Sequence, residues 1–265
     1  MKNMSRHKTR RVIYVLVAIL SAVVLVCCIL AAVSDYAEYN RGVKLYTSLR
    51  SELLLAPRPD NDIPEAIDGI DVDYYGGVDY LKELYPDTYG YIVIDGTDVS
   101  YPIMRASNND FYLNHAYTGE YSPVGSVFAD YRSEDDPGNN ANTVLYAHNL
   151  MYGGMFHALE EMYLDGELFE RALVRLYTSD CEYVYKPVSV YETVSDGDYF
   201  ETEFADDGEI AEFKETVISR SVHSADIPDN DGVMLTLSTC TNRLQIGRYA
   251  LHAILIDREK LNELS

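Results

Sequence analysis

The sequence predicts a mostly β domain, a barrel or a sandwich, that follows a single membrane-spanning helix. Two observations support this fold class. Residues 12–33 form 22 consecutive residues without a charged side chain, about the length that an α-helix needs to cross ~30 Å of hydrocarbon. From residue 90 onward, short runs rich in β-branched and aromatic residues alternate with turn residues, a pattern typical of all-β domains.

The N-terminal region predicts an anchor with a defined orientation. Five Lys and Arg residues and no acidic residue precede the apolar segment, whereas Asp35 and Glu38 follow it. The positive-inside rule then makes residues 1–11 a cytoplasmic tail and places everything after residue 33 outside. The alternative is a cleaved signal peptide, but the apolar core of a signal peptide usually spans only ~7–15 residues. We therefore expect residues 12–33 to be a retained transmembrane anchor.

The outer part of the chain is strongly acidic. Five of the 21 Lys and Arg residues and none of the 43 Asp and Glu residues lie in the first 33 positions, so the remainder holds 16 basic and 43 acidic residues, a formal charge of −27. A surface of this charge repels phosphate polymers, which excludes nucleic acid as a partner.

The remaining elements follow in order along the chain. Residues 34–55 predict a helix, with Tyr39, Val43 and Tyr46 at roughly helical spacing. Residues 56–77 are rich in Pro, Asp and Gly, so 34–77 forms a helical and irregular spacer. Residues 78–85 predict a short helix that Pro86 stops. The β-type runs are GYIVID, DVSYPIM, SVFADYR, NTVLYAH, ALVRLYT, EYVYKPVSVYETV, VMLTLSTC and RYALHAILI, with helical interruptions at 153–164 and 206–222.

One of the four cysteines occupies an unusual place. Cys27 and Cys28 lie in the apolar segment, and Cys181 lies at the edge of a turn. Cys240 ends the run VMLTLSTC, on the same strand face as Ser238 because side chains alternate between faces. After the turn TNRLQIG, Arg248 opens the next strand, so a hairpin brings it near Cys240. A guanidinium there can stabilise a nucleophilic thiolate and an oxyanion, or merely cap a strand beside a small rim residue.

A cysteine nucleophile needs a histidine for proton transfer. His148 ends the run NTVLYAH and so occupies the same kind of strand tip as Cys240, which makes it the preferred candidate. The other five histidines are less suited. His252 lies four residues beyond Arg248 on the same face, roughly 13 Å away at strand rise, and more plausibly fills the barrel wall. The remaining four lie in the tail, a helix or polar loops: His7, His157, His115 and His223.

These residues carry a resemblance to a known family. The set TLSTC, an arginine opening the next strand and YAHN about ninety residues upstream resembles the class B sortases. Further similar segments are GYIVIDGTDVSYPIM, NNDFYLNH, GSVFADYR and YAHNLMYGGMFHAL, so that the resemblance spans roughly residues 78–258. Two departures are Ala147, where a Gly usually precedes the histidine, and a short loop before Arg248. Arg243 lies nearer to Cys240 in sequence, so the choice between the two arginines stays open, with Arg248 preferred for its position.

The resemblance implies a fold and an activity. The fold would be a closed sortase-type β-barrel over residues 78–265, with N-terminal helices and a helical insertion before the penultimate strand. The activity would be that of a membrane-bound cysteine transpeptidase on the outer face of a Gram-positive cell. It would cleave a C-terminal pentapeptide sorting signal of secreted proteins after Thr and transfer the protein to a wall-precursor amine. No metal or cofactor would be required.

The resemblance also assigns roles to residues. Cys240 would be the nucleophile and His148 the acid and base, while Arg248 and the backbone N–H of Thr241 would stabilise the oxyanion. The substrate contacts implied are Asn109, Leu113, Ser195, Tyr199 and Ser238. Three alternatives remain: a pilin-polymerising sortase, a Cys/His endopeptidase that hydrolyses wall peptides, and a non-catalytic surface-binding module.

Overall fold

A computed structural model describes the backbone of residues 2–55, 74–150, 153–228, 232–240 and 247–260. The first helix, α1, runs from Lys2 to Leu55, and the chain divides into two compact units at residues 41 and 42. In the N-terminal unit, the apolar side chains from Tyr14 to Val33 are exposed. Among the described residues, α1 is the one helix long and apolar enough to cross a membrane.

The second unit, Gly42–Ser265, contains the sheet and the remaining helices. Eight strands form a closed barrel in the order β1-β2-β3-β4-β7-β8-β6-β5, which decides between the barrel and the sandwich. Closure pairs every strand on both sides, so that the sheet has no free edge. The strands are β1 Thr88–Ile94, β2 Ser100–Met104, β3 Val127–Ala129, β4 Asn142–Tyr146, β5 Val174–Tyr177, β6 Cys181–Val194, β7 Met234–Cys240 and β8 Gly247–Lys260.

Four α-helices accompany the described part of the barrel, besides two short 3₁₀ helices at Phe111–Leu113 and Pro137–Asn139. The predicted short helix is α2, Tyr74–Leu84, which ends before Pro86. The predicted insertion is confirmed as α5, Asp207–Ser219, between β6 and the penultimate strand β7; the Asp206 carboxylate accepts the first free N–H groups. A helix that the sequence pattern did not reveal is α4, Gly166–Arg171, capped by Asp165 in the same way.

The helix predicted over 153–164 begins later than expected. It is observed as α3, His157–Leu164. Gly153, Gly154 and Met155 all have positive φ angles, of 88°, 99° and 49°. A left-handed backbone cannot continue a right-handed helix, so these three residues form a turn and the helix starts after them.

Strand β7 is buried on both faces, because α5 and the segment before it cover the outside of the barrel there. Leu235 and Leu237 are fully buried in the barrel. Met234, on the opposite face, belongs to a second apolar cluster outside the barrel. That cluster is formed by Tyr191, Tyr199, Phe213, Val217, Met234 and Ala250, with Phe200 and Phe204 packed against it. The insertion therefore covers the outer face of the sheet, and Ser238 lies on this outer face.

Candidate active site

Three neighbouring strands bring the predicted catalytic positions together. β7 and β8 are antiparallel, and Cys240 is paired with Arg248. β4 runs parallel to β7 with Tyr146 opposite Ser238, and the Ala147 N–H donates to the Ser238 carbonyl at 3.2 Å. β4 ends at Tyr146, but the Ala147 bond continues its register, so that position 148, two residues on, comes level with position 240, two residues beyond Ser238. Adjacent strands lie about 5 Å apart, so positions 148, 240 and 248 form one row across the sheet.

A hydrogen bond to the backbone fixes one ring nitrogen of His148. Its Nε2 atom lies 2.6 Å from the carbonyl oxygen of Leu113. A carbonyl oxygen can only accept, so Nε2 carries the proton of this hydrogen bond. The backbone behind the ring is fixed as well, because the Phe156 N–H donates to the His148 carbonyl at 2.9 Å.

Gly125 lies directly against the His148 ring. Its φ angle is +60°, and a Cβ at this position would come within 3.1 Å of His148 Cδ2 and 2.6 Å of the Leu113 carbonyl oxygen. Real Cβ atoms do not approach so closely, and a positive φ is strained for other residues. Only glycine lets the 111–126 segment lie close enough to hold the histidine.

Arg248 is half-buried. It lies on β8 directly opposite Cys240 of β7. One of its guanidinium nitrogens donates to the Gly247 carbonyl at 2.8 Å. Thr241 and Arg243 lie outside the described residues, so the predicted oxyanion N–H and the choice between the two arginines stay predictions.

The predicted substrate contacts occupy two places. Tyr199 is 2% exposed, and its hydroxyl is hydrogen-bonded to the Ser238 hydroxyl at 2.9 Å. The half-buried Ser195 lies four residues before Tyr199, in the segment that leads to α5. On the other side, Leu113 is 40% exposed and gives its carbonyl to His148. Tyr199 and Ser238 are thus brought together, and Leu113 is brought to His148.

The Asn109 side chain is held at both ends of its amide. Its Nδ2 donates to Asp130 at 2.9 Å, and its Oδ1 accepts the Tyr131 N–H at 3.0 Å. Sequence reasoning missed the centre of this arrangement, which is Asp130. The signal was present, because Asp130 and Arg132 both lie in the segment GSVFADYR.

Asp130 is fully buried and accepts five hydrogen bonds. The donors are Arg132 Nε at 2.8 Å, Arg132 Nη2 at 3.0 Å, the Arg132 backbone N–H at 3.0 Å, Asn109 Nδ2 at 2.9 Å and Tyr146 Oη at 3.1 Å. Burial alone would raise the pKa of this carboxyl, but the hydrogen bonds from Arg132 and Asn109 hold its pKa below the ordinary value. Asp130 therefore stays ionised and ties the Asn109 loop to β4, two residues before His148.

The competing histidines have structural contacts of their own. His115 stacks on Phe111, with ring centroids 4.0 Å apart, and His223 Nε2 donates to the Tyr163 carbonyl at 3.0 Å. His157 Nδ1 lies 2.7 Å from the Asn149 side-chain oxygen, in the turn that follows His148. Of the described histidine side chains, His148 is the one that lies level with position 240.

His252 is a buried structural histidine beneath α5. Its Nδ1 lies 2.9 Å from the Thr236 hydroxyl and its Nε2 3.1 Å from the Tyr191 hydroxyl, and its ring stacks on Tyr191. Burial, and secondarily the charge of Arg220, lower the pKa of His252 to about 3. The ring is therefore neutral in the folded protein at any physiological pH.

This pKa predicts how stability depends on pH. In the unfolded chain His252 titrates near 6.5, so between about pH 6.5 and pH 3 the unfolded state binds one more proton than the folded state. The free energy of unfolding should therefore fall as pH falls through this window, by about 1.4 kcal/mol per pH unit from this residue. His252→Gln should remove that part of the slope. Urea unfolding of both full-length proteins at pH 4.5, 5.5 and 7.5 measures it, and equal slopes would contradict the prediction.

A surface cavity of about 650 Å³ lies beside the C-terminal half of β6. It is lined in part by Tyr191, Thr193 and Arg220, and Thr193 is the β6 partner of Arg248. The cavity thus lies on the β6 side of Arg248, whereas His148 lies on the β4 side.

A closed eight-stranded barrel with Cys, His and Arg at adjacent strand ends defines a class of protein, the barrel-type cysteine transpeptidases. Comparison with known proteins gives the family. A Sortase domain model matches residues 92–256, and the chain belongs to the sortase family. Its relatives place it in class B. Sortase B of Listeria monocytogenes is 32% identical over 182 residues, covering 67% of this chain and 73% of that protein.

Solved structures agree with this assignment. A crystal structure of sortase B from B. anthracis in complex with AAEK1 superposes with a TM-score of 0.68 at 29% identity, covering 84% of this chain and 99% of that one. A Staphylococcus aureus sortase B–substrate complex gives a TM-score of 0.64 at 28% identity, covering 69% and 86%. The chain is therefore a class B sortase, a cysteine transpeptidase of the family that joins proteins bearing sorting signals to cell-wall amines.

Proposed function

We propose that this sortase works on the outer face of a Gram-positive cell membrane, held there by residues 12–33. The exposed apolar surface of the N-terminal helix supports an anchor. The five basic residues before it and the acidic residues after it support a cytoplasmic N-terminus and an external catalytic domain. Both substrates of a wall-anchoring reaction arrive at this membrane surface, so anchoring places the enzyme beside them.

The row formed by positions 148, 240 and 248 is the observation that carries the proposed mechanism. The Cys240 thiolate attacks the carbonyl carbon of a Thr in the sorting signal, and the carbonyl oxygen becomes an oxyanion. Arg248, with the Thr241 N–H, stabilises that charge. When the C–N bond breaks, protonated His148 gives its proton to the leaving amine, and a thioester to Cys240 remains.

The second half reverses the proton transfer. The amine of a wall precursor attacks the thioester carbon, His148 accepts its proton, and Cys240 leaves as a thiolate. The hydrogen bond from His148 Nε2 to Leu113 supports Nδ1 as the atom that gives and takes this proton. Where no amine is present, water can resolve the thioester, and the enzyme then acts as a hydrolase and cysteine protease. No step calls for a metal or cofactor.

The sorting signal is proposed to bind along the outer face of β4 and β7, between the 105–115 loop and the helix α5. Leu113, 40% exposed, offers an apolar contact beside His148. Tyr199 and Ser238, each 2% exposed, lie beneath this path and support it through their mutual hydrogen bond, with Ser195 at the entrance to the insertion. Asn109 contributes by orienting the loop, because both ends of its amide are already bonded.

Two of the alternatives are less favoured. A papain-like endopeptidase carries its cysteine at a helix N-terminus, whereas Cys240 ends a strand. A non-catalytic binding module would not require a Cys, a His and an Arg in one row at positions 240, 148 and 248. A pilin-polymerising role uses the same chemistry with a Lys side chain of another pilin as acceptor, and it remains a second candidate for the acceptor.

A peptide library tests the proposal. The full-length protein in lipid nanodiscs is incubated with fluorogenic Thr-containing pentapeptides and with two acceptor amines, a wall-precursor peptide and a pilin Lys peptide. Wall anchoring predicts cleavage after Thr and a covalent product with the wall-precursor amine. Product with the Lys peptide alone would favour the pilin role. No cleavage of any library member by folded protein would overturn the proposed reaction.

A further inference from the structure

The end of the N-terminal helix is connected to the histidine of the proposed active site. Tyr46, in the α1 part of the second unit, is 7% exposed. Its hydroxyl donates to the Gly125 carbonyl at 2.6 Å and lies 2.9 Å from the Ser126 hydroxyl. The approach is close, since a Cβ on Gly42 would come within 2.6 Å of Val124 Cγ2. Tyr46 therefore holds the backbone at Gly125 and Ser126 in place, and Gly125 contacts the His148 ring.

The same segment supplies the hydrogen bond to His148. The Ser126 N–H donates to the Tyr112 carbonyl at 3.0 Å, and the Ser126 hydroxyl donates to the His115 carbonyl at 2.9 Å. These two bonds hold the backbone on either side of Leu113, whose carbonyl accepts from His148. A displacement of Gly125 and Ser126 is thus transmitted to the backbone carbonyl to which the imidazole is bonded.

Tyr46 also reaches the loop on the other side of His148. Its ring packs edge-on against Tyr101, with centroids 5.5 Å apart. The Tyr101 hydroxyl accepts the Met155 N–H at 3.0 Å, and the next N–H, of Phe156, donates to the His148 carbonyl. One side chain from the helix thereby supports both the partner of the His148 ring and the backbone behind it.

We propose that Tyr46 is a positioning residue for the transpeptidation: through Gly125, Ser126 and Tyr101 it fixes the orientation and tautomer of His148. Burial raises the pKa of Tyr46, which keeps its hydroxyl a donor at physiological pH. The inference rests on the proposed catalytic role of His148. It adds a supporting residue, Tyr46, which lies 102 positions earlier in the chain, in the helix whose first part is the proposed anchor.

Tyr46→Phe in the full-length protein tests the proposal. The expected result is a fall in kcat of about tenfold with KM within about twofold, because a small displacement of an acid–base group slows chemistry more than binding. The ¹⁵N signals of His148, assigned by comparison with His148→Gln, should shift from the Nε2-protonated pattern towards a mixture of tautomers. Ser126→Ala should change both readouts in the same direction and by less, and it serves if Tyr46→Phe does not fold.

Tyr183→Phe is the matched control. Tyr183 is 1% exposed and donates to Asp136 at 2.6 Å, but it lies at the opposite end of β6, roughly 30 Å from Thr193 at strand rise. The Tyr183→Phe substitution should lower thermal stability and leave kcat and the ¹⁵N signals of His148 unchanged. If Tyr46→Phe behaves like this control, or raises KM alone, Tyr46 has no positioning role. Full activity of His148→Gln would overturn the proposed mechanism instead, and the ¹⁵N signals would still decide whether Tyr46 orients the ring.

Discussion

Cys240→Ala should abolish both peptide cleavage and transfer to an amine, with a loss of at least about 10⁴-fold in kcat. Removing the nucleophile leaves no atom to form the thioester, so only the binding and electrostatic contributions of the site remain. Cleavage of a fluorogenic signal peptide by the full-length protein in nanodiscs measures the loss. Binding of the uncleaved peptide should persist, because the substitution removes no more than a small group from the site.

Cys181→Ala provides the control for this result. Outside the apolar segment, Cys181 and Cys240 are the two cysteines of the sequence, and Cys181 is buried at the start of β6, opposite to the end at which β6 pairs with Arg248. Its replacement should leave cleavage and transfer unchanged. A thiol-alkylating reagent should inactivate Cys181→Ala and the wild type equally. Substantial activity in Cys240→Ala, or inactivity in both variants, would contradict the assignment of the nucleophile.

Asp130→Asn should lower the free energy of unfolding by about 3 kcal/mol. The substitution keeps the volume of the side chain but removes the charge that five donors surround, and it leaves Arg132 facing an amide in a buried setting. Urea unfolding followed by tyrosine fluorescence measures the change, since the sequence has 24 Tyr and no Trp. Activity should fall as well, because the amide keeps only one of the two oxygens that Arg132, Asn109 and Tyr146 share.

An exposed pair in the same region offers a matched comparison. Asp135 is bonded to Arg105, and its side chain is 93% exposed. Asp135→Asn also replaces an arginine-paired carboxylate, but water screens this pair, so the loss should stay below about 1 kcal/mol. Similar losses in the two variants would show that burial of the Asp130 network contributes little to its strength.

Local sequence patterns predicted those features of the fold that depend on residues close together in the chain, namely strand faces, a hairpin and a helix. Alternation along VMLTLSTC predicted that Cys240 and Ser238 share a strand face, and β7 shows this alternation, since Leu235 and Leu237 face the barrel and Met234 the outer cluster. The short connection between β7 and β8 was enough to pair Cys240 with Arg248. The helix within 206–222 was predicted as a helical interruption of the β-type runs. In each case the interacting residues are close in sequence, so spacing alone restricts the structure.

Long-range pairing was beyond these patterns. The parallel pairing of β4 with β7 joins segments about ninety residues apart. The sequence predicted only that His148 and Cys240 occupy similar strand tips, and the family resemblance implied that they act together. Asp130 was one of 43 acidic residues; it lies in the family-like segment GSVFADYR, but nothing in its spacing indicated burial. Tyr46 matched a helical pattern, but its partners at 125 and 126 are 79 and 80 residues away. Burial and distant hydrogen bonds depend on the closed barrel as a whole.

The boundary at Gly42 has a consequence for producing this enzyme as a soluble fragment. Residues 34–77 are a spacer by sequence, and removing them would be the natural choice for crystallisation or screening. The compact catalytic unit, however, begins at Gly42 and includes Tyr46 and the buried Leu49. A truncated enzyme that starts at residue 78 would lack both side chains, and under the proposed role of Tyr46 its turnover rate would fall below that of the native enzyme.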